Sequence, residues 1–229
     1  RCAELWNGAE QGFFTPETVD LLPQAARQVR LLPITTRSIA QYQRIRWPAG
    51  ALPREALTAN GAVLLRDGEI DRDWYDQSWE LVRAHQGGLR DLLERISARE
   101  DVTSARIVEN MYVYAACSDA AAAERCAAAW AQDAPFQMEV SGRKVYWFPP
   151  GIDKGTALRR AAGRYRPERI LCAGDSVIDV PMLRRADLAM IPDGTLLPAL
   201  PAERTLVCQE NVRFPDFVLR TVLAQAGPG

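Results

Sequence analysis

The chain has 229 residues, 48% hydrophobic and 25% charged, which is ordinary for a globular protein. Its 28 basic and 29 acidic residues leave a net charge of -1, so no basic field indicates nucleic-acid binding. No apolar run reaches the ~20 residues that span a bilayer and no signal peptide is recognisable, so we expect no membrane attachment. Five cysteines without CxxC spacing and a single histidine, His85, indicate reduced thiols in a cytoplasmic protein without a zinc site. The oligomeric state is left open.

The first part of the chain predicts helices and strands in alternation. Thr15-Pro16-Glu17 combines a capping hydroxyl, a first-turn proline and an acid, which is typical of a helix start, and Pro23 should kink or shorten that helix. Residues 29–34 predict a strand, and residues 35–38 form a hydroxyl-rich turn before a short amphipathic helix. A hydroxyl and free N–H groups at a helix start can hold an oxyanion, although the same residues can act only as caps.

The pattern of predicted elements changes in the middle of the chain. Residues 55–59 predict a strand that ends at Asn60-Gly61, and Asp67-Gly68 predicts a tight hairpin. From about residue 72 to residue 148 the pattern predicts an α+β module that ends at a hinge, Pro149-Pro150-Gly151. Its predicted elements are two helices separated by Gly87-Gly88, strands at 105–108 and 111–115, an Ala-rich helix around Ala120–Ala131, and a hairpin of 136–140 and 144–148.

A lysine opens the next predicted helix, at Ile152-Asp153-Lys154-Gly155. Positive charge at a helix N-terminus opposes the helix dipole, so either an anion lies nearby or Lys154 is a solvated surface residue. Apolar residues 169–173 then predict a short buried strand. Gly174 permits a sharp turn after it, and Asp175 and Asp179 follow four residues apart.

Two carboxylates beyond the carboxyl end of a parallel strand are placed to hold a hard cation such as Mg²⁺. The alternative is a loop in which Asp175 or Ser176 only caps the following helix. Two more strands, at 188–191 and 205–208, and a closing helix at about 216–224 complete the chain.

In chain order, these polar turns resemble motifs of the haloacid-dehalogenase (HAD) phosphatase superfamily. Thr35-Thr36-Arg37 resembles the second motif, residues 152–155 the third and residues 174–179 the fourth, and the match covers nearly the whole chain. Asn60-Gly61-Ala62 and the position of the insert resemble the Cof-like and sucrose-phosphatase-like branch. Thr36 stands where the family has Gly, and Ile178 where it has Asn.

The resemblance implies an α/β core with a doubly wound, mainly parallel sheet. Residues 1–71 and 149–229 would form this core, with its first strand missing, and residues 72–148 would form an α+β cap. The cap would close over the core crevice, exclude water and set specificity.

The implied activity is Mg²⁺-dependent hydrolysis of a small phosphorylated metabolite, such as a sugar phosphate, through an aspartyl-phosphate. By resemblance, Asp175 would bind Mg²⁺, and Asp179, a second candidate ligand, would hold Lys154 or a metal-bound water. Thr35 would hydrogen-bond the transferring phosphoryl group, and Lys154 would balance its charge. The remaining candidate substrate contacts are Thr36, Arg37, Asn60 and Gly61.

The family's first motif, Asp-x-Asp-x-Thr, which supplies the nucleophile, does not occur in this sequence. Because removal of an initiator Met normally requires a small following residue, we do not expect Arg1 to be the natural start, and we expect this motif upstream. A phosphate-binding or regulatory protein without turnover and a phosphomutase of the same fold are the alternatives. Gly174-Asp175-Ser176 also resembles the Gly-Asp-Ser string of serine esterases, but those place the string before the histidine, whereas His85 precedes it here.

Overall fold

A computed structural model describes residues 1–130 and 135–227 of the chain. The helices are α1 (Pro16–Gln28), α2 (Ile39–Gln43), α3 (Arg72–Val82), α4 (Gln86–Ser97), α5 (Ala120–Trp130), α6 (Lys154–Tyr165), α7 (Val180–Leu183) and α8 (Phe214–Ala226). The strands are β1 (Cys2–Trp6), β2 (Ala9–Phe13), β3 (Glu55–Thr58), β4 (Val63–Arg66), β5 (Glu69–Ile70), β6 (Val102–Val108), β7 (Tyr112–Cys117), β8 (Gln137–Ser141), β9 (Lys144–Phe148), β10 (Leu171–Ala173), β11 (Leu188–Ile191) and β12 (Thr205–Val207). No helix within these ranges is long and apolar enough to cross a membrane.

The core contains parallel and antiparallel strands, and the predicted α/β class is confirmed. β10, β11 and β12 form a parallel ladder, while β3, β4 and β5 form an antiparallel one. The predicted strand at residues 29–34 is wrong in extent, because only Ile34 pairs, through a parallel bridge to Leu57. Pro33 has no N–H, and the other edge of this segment faces a cavity instead of a partner strand.

The inserted α+β unit is a four-stranded antiparallel sheet in the order β6-β7-β9-β8. Side chains of α4 and α5, such as Leu92 and Cys126, pack on one face of this sheet against Val113 and Trp147. The predicted helix break is wrong by a few residues. It falls in a 3-10 turn at residues 83–85, and the two glycines lie in the first turn of α4. Ala131, the predicted last residue of the Ala-rich helix, lies outside the described residues.

Two features near the amino terminus differ from expectation. β1 and β2 form an unpredicted hairpin whose turn, Asn7-Gly8, has positive φ at both residues. α1 begins as predicted, with the Thr15 hydroxyl accepting a hydrogen bond from the Thr18 N–H, but Pro23 does not shorten it. Packing of Leu22 and Ala25 against Leu219 of α8 supports α1 on both sides of the proline. The closing helix α8 is also longer than predicted at each end.

Candidate active site

The site is organised around the first residue of α6. The Asp153 carboxylate caps this helix, accepting a hydrogen bond from the Thr156 N–H at 2.8 Å, so Lys154 occupies the first helical position. The Lys154 side chain is buried, and its Nζ donates to Asp179 Oδ1 at 2.5 Å. The anion expected beside this lysine is therefore Asp179, which is itself only 3% exposed. The reading of Lys154 as a solvated surface residue is wrong.

The second oxygen of Asp179 orders the loop that follows β10. Asp179 Oδ2 accepts hydrogen bonds from the N–H groups of Asp175 and Ser176 at 3.0 and 3.1 Å, and from the Ser176 hydroxyl at 3.1 Å. Both oxygens of Asp179 are thus bonded to protein donors. The Asp175 side chain remains exposed at the tip of the loop. The loop therefore offers one carboxylate to solvent, while the other carboxylate holds the structure together.

Two glycines allow this loop and α6 to approach each other. A Cβ at Gly174 would lie 2.4 Å from Asp179 Cβ, and a Cβ at Gly155 would lie 2.5 Å from the Pro181 carbonyl oxygen. Neither position has room for a side chain. Close backbone packing, rather than an unusual φ, explains why glycine is needed at both positions.

The Thr35 turn is tied to the start of α6 through Asn60. The Thr35 hydroxyl accepts a hydrogen bond from the Arg37 N–H at 3.1 Å, which fixes the oxygen and leaves its own proton free to be donated. The Asn60 N–H donates to the Thr35 carbonyl at 2.8 Å, and the Asn60 side chain donates to the Ile152 carbonyl at 3.3 Å. Since Ile152 lies two residues before Lys154, one asparagine connects two of the three predicted turns.

Three of the predicted substrate contacts have close contacts within the protein. Asn60 is 1% exposed, and a Cβ at Gly61 would lie 2.2 Å from Ala157 Cβ, so this pair packs on α6. Arg37 donates to Glu4 Oε2 at 2.7 Å and to a carbonyl of α2. These contacts fix the positions of all three residues, and contact of any of them with substrate stays a prediction.

A carboxylate that sequence reasoning missed lies under this part of the site. Glu4, on β1, accepts from Arg37 and also from Arg44 at 2.8 Å. Burial acts to raise the pKa of Glu4, but the hydrogen bonds and charges of the two arginines outweigh it, so this pKa lies below its ordinary value. Glu4 is 4% exposed. It is the one polar residue of β1, and its neighbours in the sequence give no sign that a buried acid lies there.

The inserted sheet also contacts the turn at Thr36. The Tyr112 hydroxyl donates to the Thr36 carbonyl at 2.6 Å, and burial raises the pKa of Tyr112 well above its ordinary value, which keeps it a donor. Tyr112 lies on the sheet face that α4 and α5 leave uncovered, because its neighbour Val113 packs against those helices. The sequence predicts a strand at residues 111–115 but assigns no role to Tyr112, so this contact was missed.

The two predicted metal ligands, Asp175 and Asp179, differ in how available their carboxylates are. Among residues 1–130 and 135–227, no group of three or more His, Cys, Asp or Glu side chains could hold a metal ion. Mg²⁺ is usually bound through one or two carboxylates together with phosphate oxygens and waters. The exposed Asp175 carboxylate fits such a ligand, whereas Asp179 has both oxygens occupied by N–H and O–H donors.

Comparison with known proteins identifies the fold. No family model and no curated protein sequence matches the chain, but solved structures match it across nearly its whole length. A sucrose-phosphatase from Synechocystis, in complex with sucrose and phosphate, is 18% identical, with a TM-score of 0.62 and 92% of each chain covered. A trehalose-6-phosphate phosphatase related protein is 15% identical, with a TM-score of 0.59, covering 98% of this chain and 93% of that one.

A haloacid dehalogenase-like hydrolase from B. subtilis is 15% identical, with a TM-score of 0.54, covering 91% of this chain and 92% of that one. At such identities the likeness concerns the fold alone. The chain therefore has the fold of the HAD-like hydrolases, as its sequence motifs predict.

Proposed function

We propose that this protein is a Mg²⁺-dependent phosphatase acting on a small phosphorylated metabolite, with a nucleophilic aspartate supplied from upstream of residue 1. The observation that carries the proposal is the buried Lys154–Asp179 pair, which places a cation at a helix start next to the exposed Asp175 carboxylate. The Lys154 ammonium has three N–H groups, and Asp179 Oδ1 accepts from one of them, so donors remain for a phosphoryl group.

The four predicted catalytic residues each have a role in this proposal. The Thr35 hydroxyl, held by the Arg37 N–H, donates to an oxygen of the phosphoryl group. Lys154 neutralises negative charge there, and Asp179 fixes its ammonium. Asp175 would hold Mg²⁺, which when bound supplies electrostatic stabilisation of the transferring phosphoryl group.

A sugar phosphate is the proposed substrate class, supported by a row of side chains on the face of the inserted sheet opposite α4 and α5, where Tyr146 is buried and Tyr114 half-buried. Arg106, Tyr114, Tyr146 and Glu139 are neighbours across four strands. The Arg106 guanidinium lies 4.6 Å from the Tyr114 ring centroid, and that centroid lies 5.5 Å from the one of Tyr146. Aromatic faces beside charged groups suit a polyhydroxylated ring, and two fold neighbours are named a sucrose-phosphatase and a trehalose-6-phosphate phosphatase related protein.

The test is phosphate release from a panel of phosphorylated sugars, with Mg²⁺ or with a chelator, by the protein that includes its upstream residues. Asp175→Asn and Lys154→Met should each lower kcat/KM by at least about 100-fold, since each removes charge that acts on the reacting group. The matched controls are Lys144→Met, at the only other lysine of the chain, and the exposed Asp91→Asn. Equal activity of Lys154→Met and Lys144→Met would reject the proposed role of Lys154.

A phosphate-binding or regulatory protein without turnover is the second candidate. It is favoured by the absence, within residues 1–130 and 135–227, of a cluster of acidic or other metal-binding side chains. Saturable binding of inorganic phosphate that Lys154→Met abolishes, without release of phosphate from any ester, would support this candidate over the enzyme. Product analysis separates hydrolysis from transfer to a second hydroxyl, as a phosphomutase would perform.

A further inference from the structure

The β6–β7 hairpin of the insert bonds to residues 36–39 of the core at two points. The Tyr112 hydroxyl donates to the Thr36 carbonyl at 2.6 Å, and the Ile39 N–H donates to Glu109 Oε1 at 2.9 Å. Glu109 begins the connection between the two strands, and Tyr112 is the first residue of β7. The insert therefore holds the turn that carries the predicted phosphoryl contacts.

The carbonyl that Tyr112 binds belongs to the same peptide group as the N–H that holds Thr35. This group joins Thr36 to Arg37, and its C=O and N–H point in opposite directions because a trans peptide is planar. The Arg37 N–H donates to the Thr35 hydroxyl oxygen at 3.1 Å. A hydrogen bond to the carbonyl also polarises the amide, which strengthens its N–H as a donor. Tyr112 thus acts on the Thr35 hydroxyl through one rigid group.

The preceding peptide group, between Thr35 and Thr36, is oriented from the core. Its carbonyl accepts from the Asn60 N–H at 2.8 Å, so its own N–H, that of Thr36, points away from Asn60. Within the described parts of the chain the Thr36 N–H has no hydrogen-bond acceptor, whereas the other N–H groups of residues 35–39 each have one. The core therefore fixes one peptide group of the turn, and the insert fixes the next.

The Tyr112 ring is itself held by packing. It is buried, and its centroid lies 4.8 Å from that of Phe148 and 6.3 Å from that of Tyr146. These rings share a hydrophobic cluster with Ala59 and Ala62 of the core. A hydroxyl on a ring that packing already fixes can hold a peptide group in one orientation.

The side chain of Thr36 adds a contact that glycine, the residue of the family at this position, cannot make. Burial raises the pKa of Tyr146, and hydrogen bonding with the Thr36 side chain acts in the opposite direction. Tyr146 pairs with Tyr114, two residues along β7 from Tyr112, so the three rings lie on one face of the sheet. The insert therefore meets Thr36 through both its carbonyl and its side chain.

We propose that Tyr112 is a positioning residue for the phosphoryl group. Its hydroxyl fixes the Thr36–Arg37 peptide group, and this group holds the Thr35 hydroxyl in place to donate to phosphate. The binding of phosphate rests on the proposed function, whereas the chain of hydrogen bonds from Tyr112 to Thr35 does not. Because Tyr112 acts through Thr35, removal of its hydroxyl should have no effect of its own once the Thr35 hydroxyl is gone.

The first measurement is amide hydrogen exchange by NMR in the chain and in Tyr112→Phe, which loses the hydroxyl and keeps the ring. The Arg37 amide should exchange at least about fivefold faster in the variant and resonate at higher field, because its hydrogen bond is weaker. The Thr35 amide, which bonds to β3, should change less than about twofold. The matched control is Tyr165→Phe, which removes a hydroxyl bonded to Glu55 at 2.8 Å and should leave both amides unchanged.

The second measurement is the Kd of inorganic phosphate for the same chain. Tyr112→Phe should raise this Kd about fivefold, and Thr35→Val, which removes the hydroxyl, should raise it at least as much. In the double variant Tyr112→Phe should add less than about twofold to the effect of Thr35→Val. In a Thr35→Ser background, which keeps a hydroxyl, the fivefold effect of Tyr112→Phe should return. Circular dichroism checks that each variant folds.

If Tyr112→Phe does not fold, replacing Tyr112 by 3-fluorotyrosine keeps the test decisive. The fluorinated ring has a more acidic hydroxyl, which is a stronger donor, so the Arg37 amide should then exchange more slowly than in the unaltered chain. An unchanged Arg37 amide would overturn the inference.

Two results in the Tyr112→Phe experiments would also overturn it. They are an Arg37 amide that exchanges as in the unaltered chain, and a full fivefold effect on the Kd of phosphate in the Thr35→Val background. A chain that binds no phosphate, but whose Arg37 amide is released in Tyr112→Phe, would reject the proposed function alone. Phosphate binding that Lys154→Met abolishes and Tyr112→Phe leaves unchanged would reject the role of Tyr112 alone.

Discussion

Replacing Asp179 by alanine tests the arrangement on which the site depends. The substitution removes the carboxylate that bonds to the Lys154 ammonium and to three donors of the Asp175–Ser176 loop. The ammonium would then be left at 8% exposure without its counter-ion. We expect Asp179→Ala to destabilise the fold much more than the reciprocal change, Lys154→Met.

The size of each stability loss follows from the groups that the variant leaves without a partner. Removing one member of a buried ion pair typically costs ~3–5 kcal/mol, because the remaining charge is buried and uncompensated. The Lys154 side chain is 10% exposed, so it can turn towards water, and we expect about 3 kcal/mol for Asp179→Ala. In Lys154→Met the carboxylate keeps the N–H donors of the loop, and the methionine retains most of the apolar stem. A loss of about 1 kcal/mol is expected there.

Urea denaturation followed by circular dichroism measures both variants and the double variant. Unchanged m-values are required, so that a shift of the midpoint reports stability. The control is Glu80→Ala, which removes an ion pair with Arg83 whose side chains are 60% and 63% exposed, and should change stability by less than about 0.5 kcal/mol. If Asp179→Ala lost no more stability than Lys154→Met, the carboxylate would not be the element that holds the loop and the ammonium together.

Two further predictions concern other parts of the molecule. Gly61→Ala, whose new Cβ would meet Ala157 Cβ at 2.2 Å, should cost about 1–3 kcal/mol more than Gly68→Ala, where φ is similarly positive but nothing lies within 4 Å. Equal losses in urea denaturation would show that backbone strain alone matters. The pKa of Glu4 in the folded protein lies below its unfolded value of about 4.3. The ionised Glu4 therefore stabilises the fold fully above the unfolded pKa, and this stabilisation is lost as the pH falls through the folded pKa. The difference in unfolding free energy between the wild type and Glu4→Gln should therefore shrink on acidification below about pH 4.3, and a difference independent of pH would contradict the ion pairs.

Local sequence signals predict most of the regular elements. The capping hydroxyl of Thr15, the Asp67-Gly68 turn and the alternation along β7 depend on neighbouring residues only, and the structure confirms each. The β1–β2 hairpin was missed although Asn7-Gly8 is itself a strong turn signal. The apolar residues of its two strands do not alternate with polar ones, and β2 is exposed along its whole length, so no apolar alternation marks these residues as strands.

The errors arise where tertiary contacts decide. Residues 29–34 have the composition of a strand, but a strand needs partners, and on one side this segment has only Leu57. Pro23 remains inside α1 because Leu22 and Ala25 are buried against α8, and sequence alone does not show that contact. Propensity is overridden in both cases by what lies beside the segment.

For the site, spacing predicted which residues lie near one another but not how they bond. The four-residue interval between Asp175 and Asp179 is compatible with two metal ligands and with one ligand and one structural acid. The hydrogen bonds of Asp179 favour the second arrangement. Similarly, Asn60 is a polar residue in a predicted turn, and only its burial shows that it connects the Thr35 turn to α6.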